Sequence, residues 1–164
     1  MTPDDLAGYA TLSDPQLHPD GVRVAFGVSR MNLEADRYDR QIWLWDGMTA
    51  RPFTHGPADT RPRWSPDGTR LAFLRASGEP GKLAHVAVMD AAGGEAAVIT
   101  SFVLGASEAE WSPDGRRLAV IGSEYLDPDL TDEERKRRPH RIAGAGYRFD
   151  NLGWLHDRRK NVYL

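Results

Sequence analysis

Serine residues that could act as nucleophiles occur throughout this 164-residue sequence, but none lies in the pattern that activates a serine. A turn that presents a nucleophilic serine needs Gly-Xaa-Ser-Xaa-Gly between a strand and a helix. The nearest matches, Gly27-Val28-Ser29-Arg30-Met31 and Gly105-Ala106-Ser107-Glu108-Ala109, lack the second glycine. Ser65 and Ser112 each precede a proline in a repeated turn, where a hydroxyl group assists turn formation. We therefore predict no catalytic residue in this chain.

The acidic and histidine residues do not show the spacing of a metal site. No two histidines lie four residues apart, and the absence of cysteine excludes thiolate zinc sites. Asp20, Asp67 and Asp114 recur every 47 residues, which places them on equivalent turns of different repeats and not around one ion. The sequence thus predicts neither a metal nor a cofactor.

The basic run Arg135-Lys136-Arg137-Arg138 is the strongest local concentration of charge. It follows Asp132-Glu133-Glu134, and acids at the start and bases at the end of a helix both interact favourably with its dipole. We interpret the run as a solvated helix face. The formal net charge of the chain is −3, which argues against a nucleic acid or an anionic membrane as partner.

A repeated segment predicts the fold. Leu17-His18-Pro19-Asp20-Gly21 recurs as Trp64-Ser65-Pro66-Asp67-Gly68 and as Trp111-Ser112-Pro113-Asp114-Gly115, each copy 47 residues after the one before. A period of roughly 40 to 50 residues is typical of four-stranded propeller blades and exceeds the roughly 33 to 34 residues of ankyrin and tetratricopeptide repeats. Proline presets φ, aspartate can bond its own backbone and glycine accepts positive φ, so each copy predicts a tight turn between antiparallel strands.

The residues that flank these turns alternate as strands do. Apolar residues occupy every second position after each turn: Val22, Val24 and Phe26, then Leu71 and Phe73, then Leu118 and Val120. Third strands are expected at 41–45 and 85–89, and short fourth strands at 50–54 and 96–100. We expect the tryptophans to fill the packing between blades; they are Trp43, Trp45, Trp64, Trp111 and Trp154. The predicted fold is all-β, a β-propeller fragment with two complete four-stranded blades and part of a third.

The third repeat contains an insertion. Counted from the turn aspartate, its next strand, at 161–164, lies about 29 residues farther along the chain than the equivalent strand of the second repeat. Within the insertion, Thr131-Asp132-Glu133-Glu134 matches a capping box and predicts a short helix that ends before Pro139. The predicted segments are a lead-in or helix at 1–14, blades at 15–60 and 61–107, and an incomplete blade at 108–164 with the insertion at about 123–150.

The signature Trp-Ser-Pro-Asp-Gly-Xaa-Arg-Leu-Ala resembles two groups of propellers, those of the prolyl oligopeptidase family of serine peptidases and the periplasmic TolB-type propellers. The insertion distinguishes them. The order of the segments 132–139, 147–154 and 157–159 before the final strand resembles the acylaminoacyl-peptidase branch of the peptidase family, in which an early blade contains such an insertion. The resemblance covers the entire chain but only part of the family's usual length.

The resemblance implies a two-domain enzyme in which the propeller covers a C-terminal α/β-hydrolase domain with a Ser-Asp-His triad. That domain is absent from this chain. A cytoplasmic location is expected from the lack of cysteine and of an export signal at the N-terminus. The propeller would admit short peptides and exclude folded proteins, and the N-terminal segment 2–6 would form a helix that packs on the hydrolase domain. Arg148 and Asp150, on the segment that returns from the insertion, are the candidate substrate-binding residues because they could line the interdomain cavity. The expected partners are the remainder of the same chain, short peptides and further copies of the protein.

Two other interpretations of the sequence remain in view. The first is a non-catalytic TolB-like propeller that binds a protein partner; it would normally have an export signal, and Met1-Thr2-Pro3-Asp4-Asp5 shows none. The second concerns Glu133-Glu134, because related peptidases that trim N-terminal residues hold the substrate amine with paired acids. An acylated N-terminus has no charge to hold, and the adjacent arginines compete for these acids, so we do not assign that role.

Overall fold

The computed structural model of the chain describes residues 8–56, 58–78, 81–139, 148–149, 153–154 and 157–164. In these ranges antiparallel strands form two complete blades and part of a third. Blade 1 consists of β1 (Ala10–Leu17), β2 (Val24–Asn32), β3 (Arg37–Trp45) and β4 (Ala50–Pro52). Blade 2 consists of β5 (Ala58–Trp64), β6 (Arg70–Ala76), β7 (His85–Asp90) and β8 (Ala97–Val98).

Blade 3 begins with β9 (Ala106–Trp111) and β10 (Leu118–Tyr125). The insertion follows, with α1 (Asp132–Arg137) and a small hairpin of β11 (Arg148–Phe149) and β12 (Gly153–Trp154). The chain then returns to the blade as β13 (Arg158–Tyr163), which pairs with β10. The strands of blades 1 and 2 pair antiparallel in chain order, as in a propeller. The predicted fold class is therefore confirmed.

The three Pro-Asp-Gly segments form the predicted turns between the first two strands of each blade. The carboxylate of Asp67 accepts a hydrogen bond from the backbone N–H of Thr69 at 3.1 Å, and Gly68 has φ of +70°. Hydrogen bonds from the Ser65 hydroxyl and from Thr69 lower the pKa of Asp67 to about 2. The other two copies follow the same geometry, with Gly21 at φ +75° and Gly115 at φ +67°.

Alternation along β6 divides the core between two blade contacts, which we call the first boundary (blades 1 and 2) and the second boundary (blades 2 and 3). Leu71 and Phe73 pack toward blade 1, whereas Leu74 packs toward blade 3. The buried core of the first boundary contains Ala25, Ile42, Leu44, Phe53, Trp64, Leu71, Phe73, Ala87 and Met89. That of the second contains Leu74, Val86, Ala106, Ala109 and Val120.

The strands begin slightly earlier than the sequence pattern indicates. β1 starts at Ala10, ahead of the blade start expected at residue 15, because residues 10–13 already pair with Gly27–Arg30 of β2. β5 and β9 start at Ala58 and Ala106, two or three residues ahead of the expected limits. The helix expected at 2–6 lies outside the described residues.

The insertion also differs in extent from the expected 123–150. β10 runs to Tyr125 and β13 starts at Arg158, so the blade is interrupted between those residues. Helix α1 begins as predicted, because the Thr131 side chain accepts a hydrogen bond from the backbone N–H of Glu134, and the Glu134 carboxylate accepts one from the backbone N–H of Thr131. The two groups complete the capping box.

Candidate functional site

The first strands of the blades form the inner wall of the propeller. β5 contacts both β1 and β9, so the three strands lie side by side where the blades converge. In a propeller the first strand of each blade borders the central channel. Some side chains of β5 and β9, such as Arg61 and Glu108, are exposed along this wall.

A bulge occurs at the same repeat position in the first strands of blades 1 and 2. The strand register shifts between Ser13 and Gln16 and again between Thr60 and Arg63. The bulged residues Asp14 and Arg61 have φ of +49° and +55°, which is uncommon for residues other than glycine. Bulges of this kind redirect side chains and often occur near functional surfaces.

The bulge in β5 places Arg61 across the second boundary. Its Nη1 atom donates to the carbonyl oxygen of Ser107 at 2.7 Å and to the carboxylate of Glu108 at 2.9 Å. Arg63, two residues later, forms a short ion pair with Glu110. The side chains of Arg61 and Glu108 are 42% and 53% exposed, so this pair lies at the surface of the wall.

These two pairs were not anticipated from the sequence. Each joins residues 47 positions apart, and no local pattern indicates such a contact. One sequence feature could have indicated the bulges: a proline follows the bulged residue at the same repeat position in both blades, in Asp14-Pro15 and in Arg61-Pro62. It indicates a shared irregularity in the inner strands.

The tryptophans of the repeated signature fill blade contacts, as predicted. Trp64 is buried in the first boundary, and Trp111 lies beneath the guanidinium of Arg70, 4.5 Å from its ring centroid. The Trp111 indole N–H donates to the carbonyl oxygen of Arg63 at 3.0 Å. Trp43 lies beneath Arg30, whereas Trp45 is partly exposed.

The repeated serines are turn residues, as the sequence indicates. The Ser65 hydroxyl donates to the Asp67 carboxylate at 2.6 Å and accepts a hydrogen bond from the backbone N–H of Arg70. Ser112 makes the same contacts with Asp114 and Arg117. Because each hydroxyl proton is donated to an aspartate within its own turn, these serines serve the fold.

The insertion is attached to the base of its own blade. The guanidinium of Arg135 lies 3.6 Å from the ring centroid of Tyr125 and donates to the carbonyl oxygen of Asp127. Arg138 forms an ion pair with the Asp127 carboxylate. The basic residues of α1 thus hold the helix against the end of β10 and are not all directed to solvent.

Glu133 and Glu134 are already engaged within the helix. The Glu134 carboxylate accepts hydrogen bonds from the backbone N–H and hydroxyl of Thr131 at 2.8 and 2.7 Å, and these bonds lower its pKa. Glu133 pairs with Lys136 at 3.3 Å. This arrangement does not present two free carboxylates to a substrate amine.

The candidate substrate-binding residues fall at the edge of the described structure. Arg148 is exposed on β11 and is paired across the hairpin with Trp154, while Asp150 lies outside the described residues. Among the described residues, no group of three or more histidine, aspartate or glutamate side chains is arranged to bind a metal ion. In the same part of the chain, no helix has the length and apolar composition needed to cross a bilayer.

Known proteins resemble this chain in sequence and in fold. It is 38% identical over 160 residues to the uncharacterized peptidase YuxL of Bacillus subtilis (strain 168), an alignment that covers 93% of this chain and 24% of that protein. No protein-family model matches the chain.

Solved structures with the same fold include peptidase propellers. An acylaminoacyl peptidase in complex with Z-Gly-Gly-Phe-chloromethyl ketone superposes with a TM-score of 0.74 and 24% identity over 97% of this chain and 24% of that one. The β-propeller domain of the Trilobed protease from Pyrococcus furiosus gives 0.60 and 29% over 74% of this chain and 36% of that one. TolB from Acinetobacter baumannii gives 0.52 and 19% over 66% of this chain and 26% of that one.

The similarity to YuxL extends across almost the whole chain, and therefore across both the repeated turns and the insertion. The chain spans about a quarter of the length of that relative and of the acylaminoacyl peptidase. Its blades match part of the solved peptidase structures and not their whole length. In sequence and in fold, the chain therefore resembles the N-terminal part of the β-propeller of prolyl oligopeptidase family peptidases.

Proposed function

We propose that this chain is the N-terminal propeller segment of a serine peptidase of the acylaminoacyl-peptidase or oligopeptidase type. The observation that supports this most directly is the 38% identity to a peptidase over 160 residues. The catalytic serine, aspartate and histidine would lie in a C-terminal hydrolase domain outside this sequence. The propeller itself would bind no cofactor and would restrict which peptides reach that domain.

The inner wall supports the proposed filtering role. In the complete propeller, the polar and charged side chains of β5 and β9 would border the channel, so a peptide could pass along a hydrated surface. A folded protein is wider than the channel of a propeller and would be excluded. Arg148 and Asp150 would line the interdomain cavity and contact peptides that have passed.

The outer sheet faces of blades 1 and 3 expose apolar residues, which supports the proposal that further blades of the same chain pack against them. Ile121 and Val162 occupy the positions of Leu74 and Val86, which are buried at the second boundary, yet Val162 is 68% exposed. Blade 1 likewise presents apolar residues whose equivalents in blade 2 are buried; they are Leu17, Val24, Phe26 and Trp45. Because blades bury such faces against each other, we assign them to neighbouring blades of the longer protein.

A non-catalytic propeller of the TolB type is the alternative. The fold alone is compatible with it, since TolB has the same blade architecture. The helical insertion between β10 and β13 and the sequence identity to a peptidase favour the first proposal. A cytoplasmic location is part of that proposal, and cell fractionation would test it.

Labelling with a fluorophosphonate tests the proposal. The probe reacts with activated serines, so the full-length protein that contains this segment should be labelled, and the label should map outside residues 1–164. Heat-denatured protein is the control for nonspecific reaction. An unlabelled but correctly folded full-length protein would support the binding propeller instead.

A further inference from the structure

The second boundary buries smaller side chains than the first. Two of its five buried core residues, Ala106 and Ala109, are alanines, and the larger Phe102 and Leu118 are only partly buried against it, whereas the first boundary buries Phe53, Trp64 and Phe73. Hydrophobic stabilisation scales with the apolar area removed from water. Separation of blades 2 and 3 therefore exposes less apolar surface than separation of blades 1 and 2.

Polar contacts compensate for the small core of the second boundary. Two ion pairs cross it, Arg61 with Glu108 and Arg63 with Glu110. The carboxylates are 53% and 63% exposed, so water and salt reach both pairs. Exposed ion pairs are individually weak and are screened by salt, and water can replace their hydrogen bonds when the partners separate.

The position of the pairs connects them to the channel. Both lie between β5 and β9, the innermost strands of their blades, so a separation there widens the wall of the channel directly. Blade 3 also supports the insertion, which is fixed to β10 through Tyr125 and Arg135. Movement of this blade would therefore displace the insertion with it.

We propose that the ion pairs Arg61–Glu108 and Arg63–Glu110 control the separation of blades 2 and 3 and thereby set the largest peptide that the propeller admits. This inference rests on the proposed filtering function and names the residues responsible for it. Salt loosens the pairs and widens the passage, while the apolar first boundary stays closed.

Thiol accessibility tests the separation without any measurement of activity. This chain has no cysteine, so the full-length protein, with any cysteine outside this segment replaced by serine, can have one reporter at each boundary. Ala109→Cys reports on the second boundary and Ala25→Cys on the first, since these alanines are 7% and 0% exposed. The probe is a maleimide, and the measured quantity is its rate of reaction at low salt and at about 0.5 M NaCl.

We expect salt to increase the labelling rate of Ala109→Cys about fivefold and that of Ala25→Cys by less than about twofold. Adding Arg61→Gln and Arg63→Gln should raise the rate at Ala109→Cys already at low salt and remove the salt dependence. Equal salt responses at the two reporters would overturn the proposal. An unchanged rate after both arginine substitutions would overturn it as well.

Hydrolysis measurements then test the consequence for substrates. In the full-length enzyme, Arg61→Gln with Arg63→Gln should leave kcat/KM for a chromogenic dipeptide nearly unchanged and raise kcat/KM for a quenched fluorescent peptide of about 20 residues about fivefold. The charge-reversed variant Arg61→Glu with Glu108→Arg keeps an ion pair at this position, so its kcat/KM for the long peptide should rise less than that of the glutamine variant. Arg37→Gln, which breaks a pair inside blade 1, is the matched control and should change neither value.

The two proposals fail in different ways. If the wild-type enzyme hydrolyses peptides and the ratio of long to short substrates stays the same in the double variant, the ion pairs do not set the size limit. If the wild-type protein hydrolyses no peptide, the proposed function fails, and the thiol reaction still decides whether the pairs hold the blades together.

Discussion

The two blade boundaries share one acceptor position of the repeat but use donors from different positions. At the first, the His18 Nε2 atom is 3.0 Å from the carbonyl oxygen of Gly68, and the ring packs edge-on against Trp64 at 4.7 Å. At the second, Arg70 donates to the carbonyl oxygen of Gly115 at 2.6 Å and lies over Trp111. Both boundaries therefore join a donor of one blade to the glycine carbonyl of the next turn.

The donors differ in ways that match the rest of each boundary. His18 is buried together with a large aromatic and aliphatic core, whereas Arg70 accompanies a small core and exposed ion pairs. A propeller repeat can thus keep the same acceptor while one contact is dry and the next is hydrated. We therefore expect the first boundary to be weakened most by substitutions that shorten buried side chains, and the second by substitutions that remove charges.

The largest expected loss of stability comes from substitutions of two adjacent residues of β6, Phe73 and Leu74, which lie at different boundaries. Phe73→Ala removes a ring that is 1% exposed at the first boundary and should lower the free energy of unfolding by about 3 to 5 kcal/mol. Leu74→Ala acts at the second boundary, where the neighbours are small, and should lower it by about 2 to 3 kcal/mol. Denaturant unfolding of the full-length variants measures both, and an equal or larger loss for Leu74→Ala would contradict the comparison.

A buried ion pair near the first boundary gives the next effect. Asp59 is fully buried, accepts two hydrogen bonds from Arg75 at 2.8 Å and one from the backbone N–H of Gly56 in the connection from blade 1. Arg75→Met leaves this carboxylate without its cation and should cost about 3 kcal/mol in unfolding experiments. Adding Asp59→Asn should recover part of the loss. No recovery would mean that packing of the arginine, not charge, is responsible.

Two turn glycines distinguish backbone strain from steric overlap. Gly68→Ala would place a Cβ 2.5 Å from His18 Nε2, while the Cβ of Gly115→Ala would lie 3.5 Å from its nearest neighbour, Cδ of Pro66. Both residues have positive φ, so both substitutions should cost about 1 to 2 kcal/mol in backbone strain. Gly68→Ala should cost about 1 kcal/mol more, because it displaces the donor of the first boundary. Thermal unfolding of the two variants would show equal losses if that contact were unimportant.

The smallest expected effect is on the loss of thermal stability at acidic pH. Because the pKa of Asp67 is lowered to about 2, its carboxylate stabilises the folded state above the unfolded pKa of about 3.9, and this contribution is lost as the pH falls toward 2. Asp67→Asn should therefore flatten the fall in Tm between about pH 4 and pH 2. The matched control is Asp90→Asn at the end of β7. A slope that is unchanged by Asp67→Asn would show that the turn aspartates do not contribute to acid sensitivity.

The sequence predicts the fold well because its information is local. Each turn is encoded by adjacent residues, such as Ser65, Asp67 and Gly68, whose hydrogen bonds and φ values the structure confirms. The helix start at Thr131 is local in the same sense. The first residue of each strand was less predictable, because pairing with the next strand and not residue type determines that β1 starts at Ala10.

The inner wall shows what sequence inspection misses. The direction of Arg61 depends on a bulge at positive φ and on the distance between two blades, and neither is encoded by neighbouring residue types. Arg148 and Asp150 depend further on a domain outside the chain, so their proposed role stays a prediction. Adjacent residues are thus enough to predict the blades, whereas contacts between repeats can be identified only from the three-dimensional structure.

The register between β10 and β13 has a consequence for how such proteins diversify. Tyr125 pairs with Arg158 directly at the base of the insertion, so the excursion leaves and re-enters the sheet at neighbouring positions. A closed loop of this kind can be lengthened at small entropic cost, about 0.6 kcal/mol for each doubling of its length. Evolution or an engineer could therefore exchange the whole segment for another and alter substrate range while the ladder of blade 3 stays intact.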